Sequence, residues 1–280
     1  MSNTTLTPFR GLGWVAKLLA FARKDLRVAT SYRTDFLARN FFILSFTLLF
    51  YFAGNAIGGD DGVALLGGGN TEYFPFVIIG LAFLTFINTL VNDFPDTIKQ
   101  AQTFGTLEPM LVTTTPIGLI LAGNLAYPLI RSSLNVVSYL LLAVPLGVDM
   151  SNANVLSAIA IFIATIAAFG GLGALLGASV MVFKQNFGRF VLQTLFSLFG
   201  GVFFPIESLP PSVQWVASCI PLTPALEGMR LAILKGATPV ELWQPLLHLL
   251  GFAAVLIPLG YLCFRAAVRV AQRDGTLTYR

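Results

Sequence analysis

The sequence predicts an all-α integral membrane protein with six transmembrane helices. Three observations carry that prediction. Hydrophobic residues make up 56% of the 280 residues and charged residues only 11%, less than half of the roughly 25% typical of a soluble domain. Mean hydropathy is +0.79. The apolar residues also fall into long runs, at about 20 residues per span, separated by short polar segments. So much apolar surface cannot all be hidden in one soluble core of this size. An ordinary soluble enzyme and a disordered chain are both excluded, and no length is left for a separate soluble catalytic domain.

The first 35 residues read as an amphipathic interfacial helix on the cytoplasmic side. Trp14, Leu18, Leu19, Ala22 and Leu26 recur at helical spacing, while Lys17, Lys24 and Arg27 lie on another face. A tryptophan and basic groups together suit a membrane boundary with anionic lipid heads. The basic residues run through this stretch without the apolar core of a signal peptide directly behind them.

The remaining chain, 36–280, forms the transmembrane domain. The first span runs from about Phe36 to Ile57, rich in phenylalanine, and ends in a glycine-rich acidic loop. The second covers about Tyr73 to Asn92, followed by a polar stretch from Asp93 to Pro116. The third spans about Ile117 to Leu146 with Pro128 inside it, where a tilt or kink is expected. A loop with Asp149, Ser151 and Asn152 leads to the fourth, about Val155 to Phe183. In that span Gly173 and Gly177 form a small-xxx-small pair suited to close helix contact. The fifth runs from about Phe190 to Phe204 and the sixth from about Pro245 to Val268.

Charge decides the orientation. With the N- and C-termini in the cytoplasm, the inner segments carry fourteen basic residues and the outer ones two, Arg230 and Lys235. The positive-inside rule selects this topology. Arg131 is the one basic residue inside a span. An intramembrane arginine faces protein or water and has a partner. It either contacts an anionic group of a substrate or pairs with Glu207, Glu227 or backbone carbonyls. Glu227 and Arg230, one helical step apart, are also placed to pair with each other.

Catalytic signatures are absent. His248 is the single histidine, so no histidine-based metal cluster can form. Asp93 and Asp96 lie three residues apart without the further carboxylates that a metal site needs. No G-x-x-x-x-G-K-[ST] sequence occurs. No catalytic and no metal-binding residue is assigned. Cys219 and Cys263 are expected to be free.

Two polar segments are too specific for connectors. Between spans two and three, Pro95 opens a short helix that Gly105 closes; it is expected to lie on the cytoplasmic side, roughly parallel to the membrane. Between spans five and six, Ser208 and Pro210 start one short helix, Pro221 interrupts it, and Thr223 with Pro224 starts a second that Gly236 ends. Thr238 and Glu241 form a capping box for the last span. The two short helices suggest an extracellular re-entrant helical hairpin between helices 5 and 6, tolerated at membrane depth where it is buried in protein or lines a wet cavity.

These segments resemble the permease subunit of the ABC-2 exporter family. Gly105-Thr-Leu-Glu108, then Leu111 and Thr113 to Pro116, is similar to the family's stretch after the second span. Phe204-Pro-Ile-Glu207, Leu209-Pro210, Pro221-Leu-Thr223, Glu227 and Arg230 are similar to its signature between spans five and six. The chain departs from the family before Gly105, where it has Gln100, Gln102 and Phe104. The resemblance implies a non-catalytic transmembrane subunit of an ATP-driven exporter in a bacterial plasma membrane. It implies two cytoplasmic ABC ATPase subunits that hold ATP and Mg, and a second copy of this chain or a paralogous permease. This chain would bind no cofactor and no nucleic acid, and would contact membrane lipid. The Pro95–Phe104 segment would be the coupling helix, with Thr97, Lys99, Gln100, Thr103, Gly105, Thr106 and Glu108 at the ATPase contact. Arg131, Phe204, Glu207, Glu227 and Arg230 would line the translocation pathway or its gate, and Trp14, Lys17, Leu18 and Lys24 would carry the interfacial helix. The cargo is expected to be amphiphilic, a lipid-linked glycan or a hydrophobic drug-like compound. The alternatives are a membrane-embedded lipid transferase, which needs a convergent polar cluster, and an ion-coupled carrier, which needs titratable groups inside the spans.

Overall fold

The computed structural model describes residues 33–57, 73–105, 117–183 and 189–273. The expected interfacial helix, with Trp14, Lys17, Leu18 and Lys24, lies outside the described residues, as do Thr106 and Glu108. The described residues contain helices and turns and no strand.

The centre of the bundle is α2, Tyr73–Asn88. A helix that is apolar all round belongs in a protein core or a membrane, and α2 is enclosed by protein. Val77, Ile78, Ile79, Phe83, Phe86 and Ile87 are accordingly sealed from solvent. Beside it stands α1, Arg33–Ile57, which turns Ile43 and Thr47 inward and Phe41, Phe42, Phe46, Leu49 and Phe52 outward. Ring contacts fix the pairing: Tyr51 meets Phe74 edge-on at 5.5 Å, and Phe50 stacks on Phe203 at 5.7 Å.

α2 does not stop at a loop. It passes through a π-helical turn, Thr89–Asp93, directly into α3, Phe94–Thr103. The expected short helix opened by Pro95 and closed at Gly105 is present, but no loop separates it from the second span: α3 continues the helical chain of α2. Proline inside a helix removes a backbone donor and clashes with the carbonyl four residues back. The wide π turn contains Val91, four residues before Pro95, and opens the ladder where that clash would fall. Ile98 and Ala101 of α3 pack into a cluster with Ala174, Ala178, Met181, Phe264, Ala267, Val268 and Ala271.

α4, Ile117–Ala143, continues as a 3-10 turn, Val144–Leu146, and closes at Gly147 with φ +98°. Pro128 lies within it, and the Ser132 and Ser133 hydroxyls donate to the Pro128 and Leu129 carbonyls at 2.8 and 2.7 Å. α5, Val155–Phe183, forms the most extensive helix pairing among the described residues with α9, Trp243–Arg273. Glycine makes that contact possible. A Cβ on Gly171 would lie 2.5 Å from the Leu256 carbonyl carbon, and one on Gly260 would lie 2.4 Å from the Gly171 oxygen. The backbone crossing is therefore at Gly171 and Gly260, two residues before the expected Gly173 and Gly177 pair, which is buried.

α6, Arg189–Phe199, has 11 residues, about 16 Å at 1.5 Å per residue. That is half the hydrocarbon thickness of a bilayer. A turn at Gly200 and Gly201 (φ +73°) leads through a 3-10 turn, Ile206–Ser208, to α7, Pro211–Ser218, and α8, Leu222–Leu234. α7 is largely exposed, whereas α8 is packed into the bundle. Leu222, Ala225, Leu226, Met229, Ala232 and Ile233 are buried, and a Cβ on Gly228 would strike Ile161 at 2.5 Å. Gly236, with φ +66°, ends this arm against the Asn152 carbonyl. The Thr238 amide then donates to the Glu241 carboxylate at 2.8 Å, which is half of the expected capping box.

Four helical stretches are long and apolar enough to cross a membrane: Tyr73–Thr103, Pro128–Leu146, Val155–Phe183 and Trp243–Arg273. The apolar stretches Asn40–Asn55 and Phe190–Phe199 are shorter. Cys219 and Cys263 are both free.

Candidate functional site

Two sites stand at opposite ends of α2. From Phe76 to Asp93 is seventeen residues, about 26 Å along a helix. Each end is held by an arginine from another helix.

At the first end, Asp93 closes the π turn and occupies the position that precedes α3. Its side chain does not cap α3. Instead the carboxylate accepts from the guanidinium of Arg131 on α4. The expected partners of Arg131, Glu207 and Glu227, are on the far side of the molecule. The correction has a simple cause: Asp93 and Arg131 sit on adjacent elements, and the π turn carries Asp93 to the face of α4. Around this pair the helices are unusually polar. Thr89, Asn92, Gln102, Ser132 and Asn135 are all buried. Among the described residues, no donor reaches the enclosed side-chain oxygens of Asn88, Asn92 and Gln102.

α3 extends from this end as an amphipathic helix. Pro95, Ile98, Ala101 and Gln102 form its buried stripe, while Gln100, Thr103 and Phe104 are exposed and Lys99 is half-buried. The hydroxyls of Thr97 and Thr103 donate to the carbonyls of Asp93 and Lys99 at 2.7 and 2.9 Å. Gly105 (φ +65°) turns the chain out of the helix, with its amide on the Gln102 carbonyl at 3.1 Å. Of the residues expected on the outward face, Lys99, Gln100 and Thr103 do share it with Gly105 close by. Phe104 was missed. It is 76% exposed, and four residues after Gln100 it continues the outward face.

At the second end, Arg230 of α8 reaches across to α2. Its Nε and one terminal nitrogen donate to the Phe76 carbonyl at 3.2 and 3.1 Å, and that same nitrogen also donates to the Val202 carbonyl at 3.2 Å. The guanidinium lies 3.4 Å from the centroid of the Phe76 ring, a cation–π contact. Gly80 makes room, since a Cβ there would lie 2.5 Å from the Val202 oxygen and 3.0 Å from the guanidinium. The expected Glu227–Arg230 pair is corrected: Arg230 is taken up by carbonyls, and Glu227 is exposed on α8. Glu207 is exposed and within electrostatic range of Arg230. Phe204 is half-buried in the preceding turn.

The five residues expected along one pathway thus divide. Phe204, Glu207, Glu227 and Arg230 belong to the hairpin end, and Arg131 belongs to the α3 end. Neither cluster offers a nucleophile beside a base, and among the described residues no group of His, Cys, Asp and Glu could hold a metal ion. A shallow open groove lies on α6 between Phe190, Gln193, Thr194, Ser197 and Leu198.

Comparison with known proteins agrees with this architecture. Residues 20–234 match the family model described as ABC-2 type transporter, over three quarters of the chain. The match ends at Leu234, the last residue of α8, and α9 lies beyond it. No curated protein matches the sequence.

Proposed function

Because the chain belongs to the ABC-2 type transporter family, we propose that it is the membrane permease of an exporter driven by ATP hydrolysis on separate subunits. The observation that carries this reading is α3. Its apolar stripe is packed on α5 and α9, and its other face presents Lys99, Gln100, Thr103 and Phe104 at the end of the bundle. A helix anchored on one side and open on the other suits a push from outside. We assign that open face to two ATPase subunits carrying ATP and Mg, and assign Gly105, Thr106 and Glu108 to the same contact.

The α3 end carries Lys99, Arg265, Arg269 and Arg273, which supports a cytoplasmic position for it by the positive-inside rule. The hairpin of α7 and α8 is then extracellular, re-entrant between the fifth and sixth crossings, with α1 and α6 completing six. α6 exposes Gln193 and Thr194. Polar side chains at bilayer depth seek protein or water, which supports a second permease against this helix. The proposed cargo is amphiphilic, a lipid-linked glycan or a hydrophobic compound, and the membrane is a bacterial plasma membrane.

The test is ATPase activity in lipid, with the chain alone and with its candidate ATPase. The expected result is silence alone, turnover together, and a loss of about tenfold or more in K99E/F104E, a size typical of a disrupted interface anchor. Equal turnover by the ATPase with and without the permease overturns the reading.

A further inference from the structure

We propose that the π turn Thr89–Asp93 is a hinge between α2 and α3, and that Arg131 is the positioning residue that latches it. Four observations meet at this turn. First, the helical backbone runs from α2 to α3 without a loop, so the π turn is the sole joint between the central helix and α3. π turns inside α-helices have weak ladders and recur at functional sites.

Second, the last residue of the turn is the one held from outside. Asp93 gives its carboxylate to Arg131 on α4 instead of to the first amides of α3. The latch therefore acts on the joint itself and ties it to a different helix. A guanidinium suits this task because its planar fork holds a carboxylate in a defined direction.

Third, the surroundings of the joint are polar. Asn92 lies within the turn and Gln102 near the end of α3, and both are buried together with Thr89, Ser132 and Asn135. Amide side chains carry both donors and acceptors, so a second register of the turn finds hydrogen-bond partners there.

Fourth, α3 is docked on α5. Ile98 and Ala101 of its buried stripe share a cluster with Ala174, Ala178 and Met181 of α5 and with Phe264, Ala267, Val268 and Ala271 of α9, with Cys263 half-buried at the margin. The alanines on both sides, Ala101, Ala174 and Ala178, permit sliding without large cavities. Movement at the hinge would thus be felt by the α5–α9 pair, which is joined further along at Gly171 and Gly260.

The consequence for transport rests on α3 being the ATPase contact, but the hinge itself can be tested without any partner. Cys263 packs against the cluster that holds Ile98 and Ala101 of α3 and so reports the exposure of that cluster, and Cys219 on the far hairpin is an internal control. The full-length chain in liposomes is labelled with a membrane-permeant maleimide, and the rate at each cysteine is read by mass spectrometry. Ile98→Gln, which spoils the docked stripe, sets the rate of an undocked α3. R131M is expected to raise Cys263 labelling by about five- to tenfold, as local opening without global unfolding does, and to leave Cys219 unchanged. R131K, which keeps the charge, is expected to stay within about twofold of the native rate. The exchanged pair D93R/R131D is expected to return most of the way. If R131M does not accumulate, D93N is read in its place with the same expectation.

Native labelling in R131M, an equal rise at both cysteines, or an exchanged pair as fast as R131M overturns the hinge. An ATPase that ignores the permease overturns the proposed function and leaves the labelling result standing.

Discussion

Gly171 and Gly170 are neighbours with opposite requirements. A Cβ on Gly171 meets backbone atoms of α9 at 2.5 Å, whereas one on Gly170 meets nothing within 4 Å. G171A is expected to destabilise the chain by about 1–3 kcal/mol through overpacking. G170A should be neutral, or stabilising by up to about 1 kcal/mol from helix propensity. Thermal unfolding of the two variants in the same detergent checks the contrast, and equal midpoints would refute the contact. The same reasoning applies at Arg230. R230M leaves the Phe76 and Val202 carbonyls without their charged donor and is expected to cost about 1–3 kcal/mol. R230K should recover only part, because lysine has neither the fork nor the planar stack on Phe76. A full recovery would mean that charge alone matters there. These residues show where sequence reasoning stops. The small-residue character of α5 is legible in its composition, but which glycine touches the partner depends on the rotation of two helices about their axes.

The elements differ in how much of each is local. The boundaries of α4, α8 and α9 follow from apolar length and from punctuation by Gly147, Gly236 and the Thr238–Glu241 box, all of which act within a few residues. E241A removes the acceptor for the Thr238 amide and is expected to cost about 1 kcal/mol, the usual scale of a lost helix cap. A fall in the unfolding midpoint that G236A exceeds would fit, since alanine at Gly236 faces both a positive φ and the Asn152 carbonyl at 2.4 Å. The α4–α5 loop carries a titration of its own. Asp149 lies below the ordinary carboxylate range because the Ser151 amide donates to it, helped by the Ser151 hydroxyl. A carboxylate lowered in the folded state contributes stability above its unfolded value of about 3.9, and that contribution is lost as pH falls through the folded value. The difference in unfolding midpoint between D149N and the native chain should therefore be present at neutral pH and vanish in acid. A difference that persists in acid would assign the effect to packing. The joint of α2 and α3 is the element that was not legible. Pro95 and the polar residues after Asn92 signal an interruption, and a helix start is the natural reading of a proline after an aspartate. The π turn keeps the chain helical because α2 is buried on every side and Asp93 is drawn toward Arg131 on α4.

At the scale of the molecule, α2 is a buried strut with an arginine at each end, α5 and α9 form a close pair beside it, and α8 plugs the hairpin end. α6 is half as long as a bilayer is thick and exposes Gln193 and Thr194; in the proposed six-crossing arrangement a single chain would leave these polar groups facing lipid. A homodimer across α6 would cover them. Q193C is expected to crosslink to itself in membranes, while V255C on the exposed face of α9 is not. A crosslink at Val255 and none at Gln193 would move the interface elsewhere. The class of the protein was determined by sequence alone. Low charge, long apolar runs and turn residues are properties of neighbouring positions, and they dictate a helical multi-pass membrane protein whatever its packing. The resemblance in two polar segments reached the family in the same way. The partners of Arg131 and Arg230, the glycine at the α5–α9 crossing and the π joint under α3 were decided only in the tertiary structure. Each depends on which residues distant in the chain meet in space, and helix rotation and depth, which no short-range pattern encodes, set those meetings.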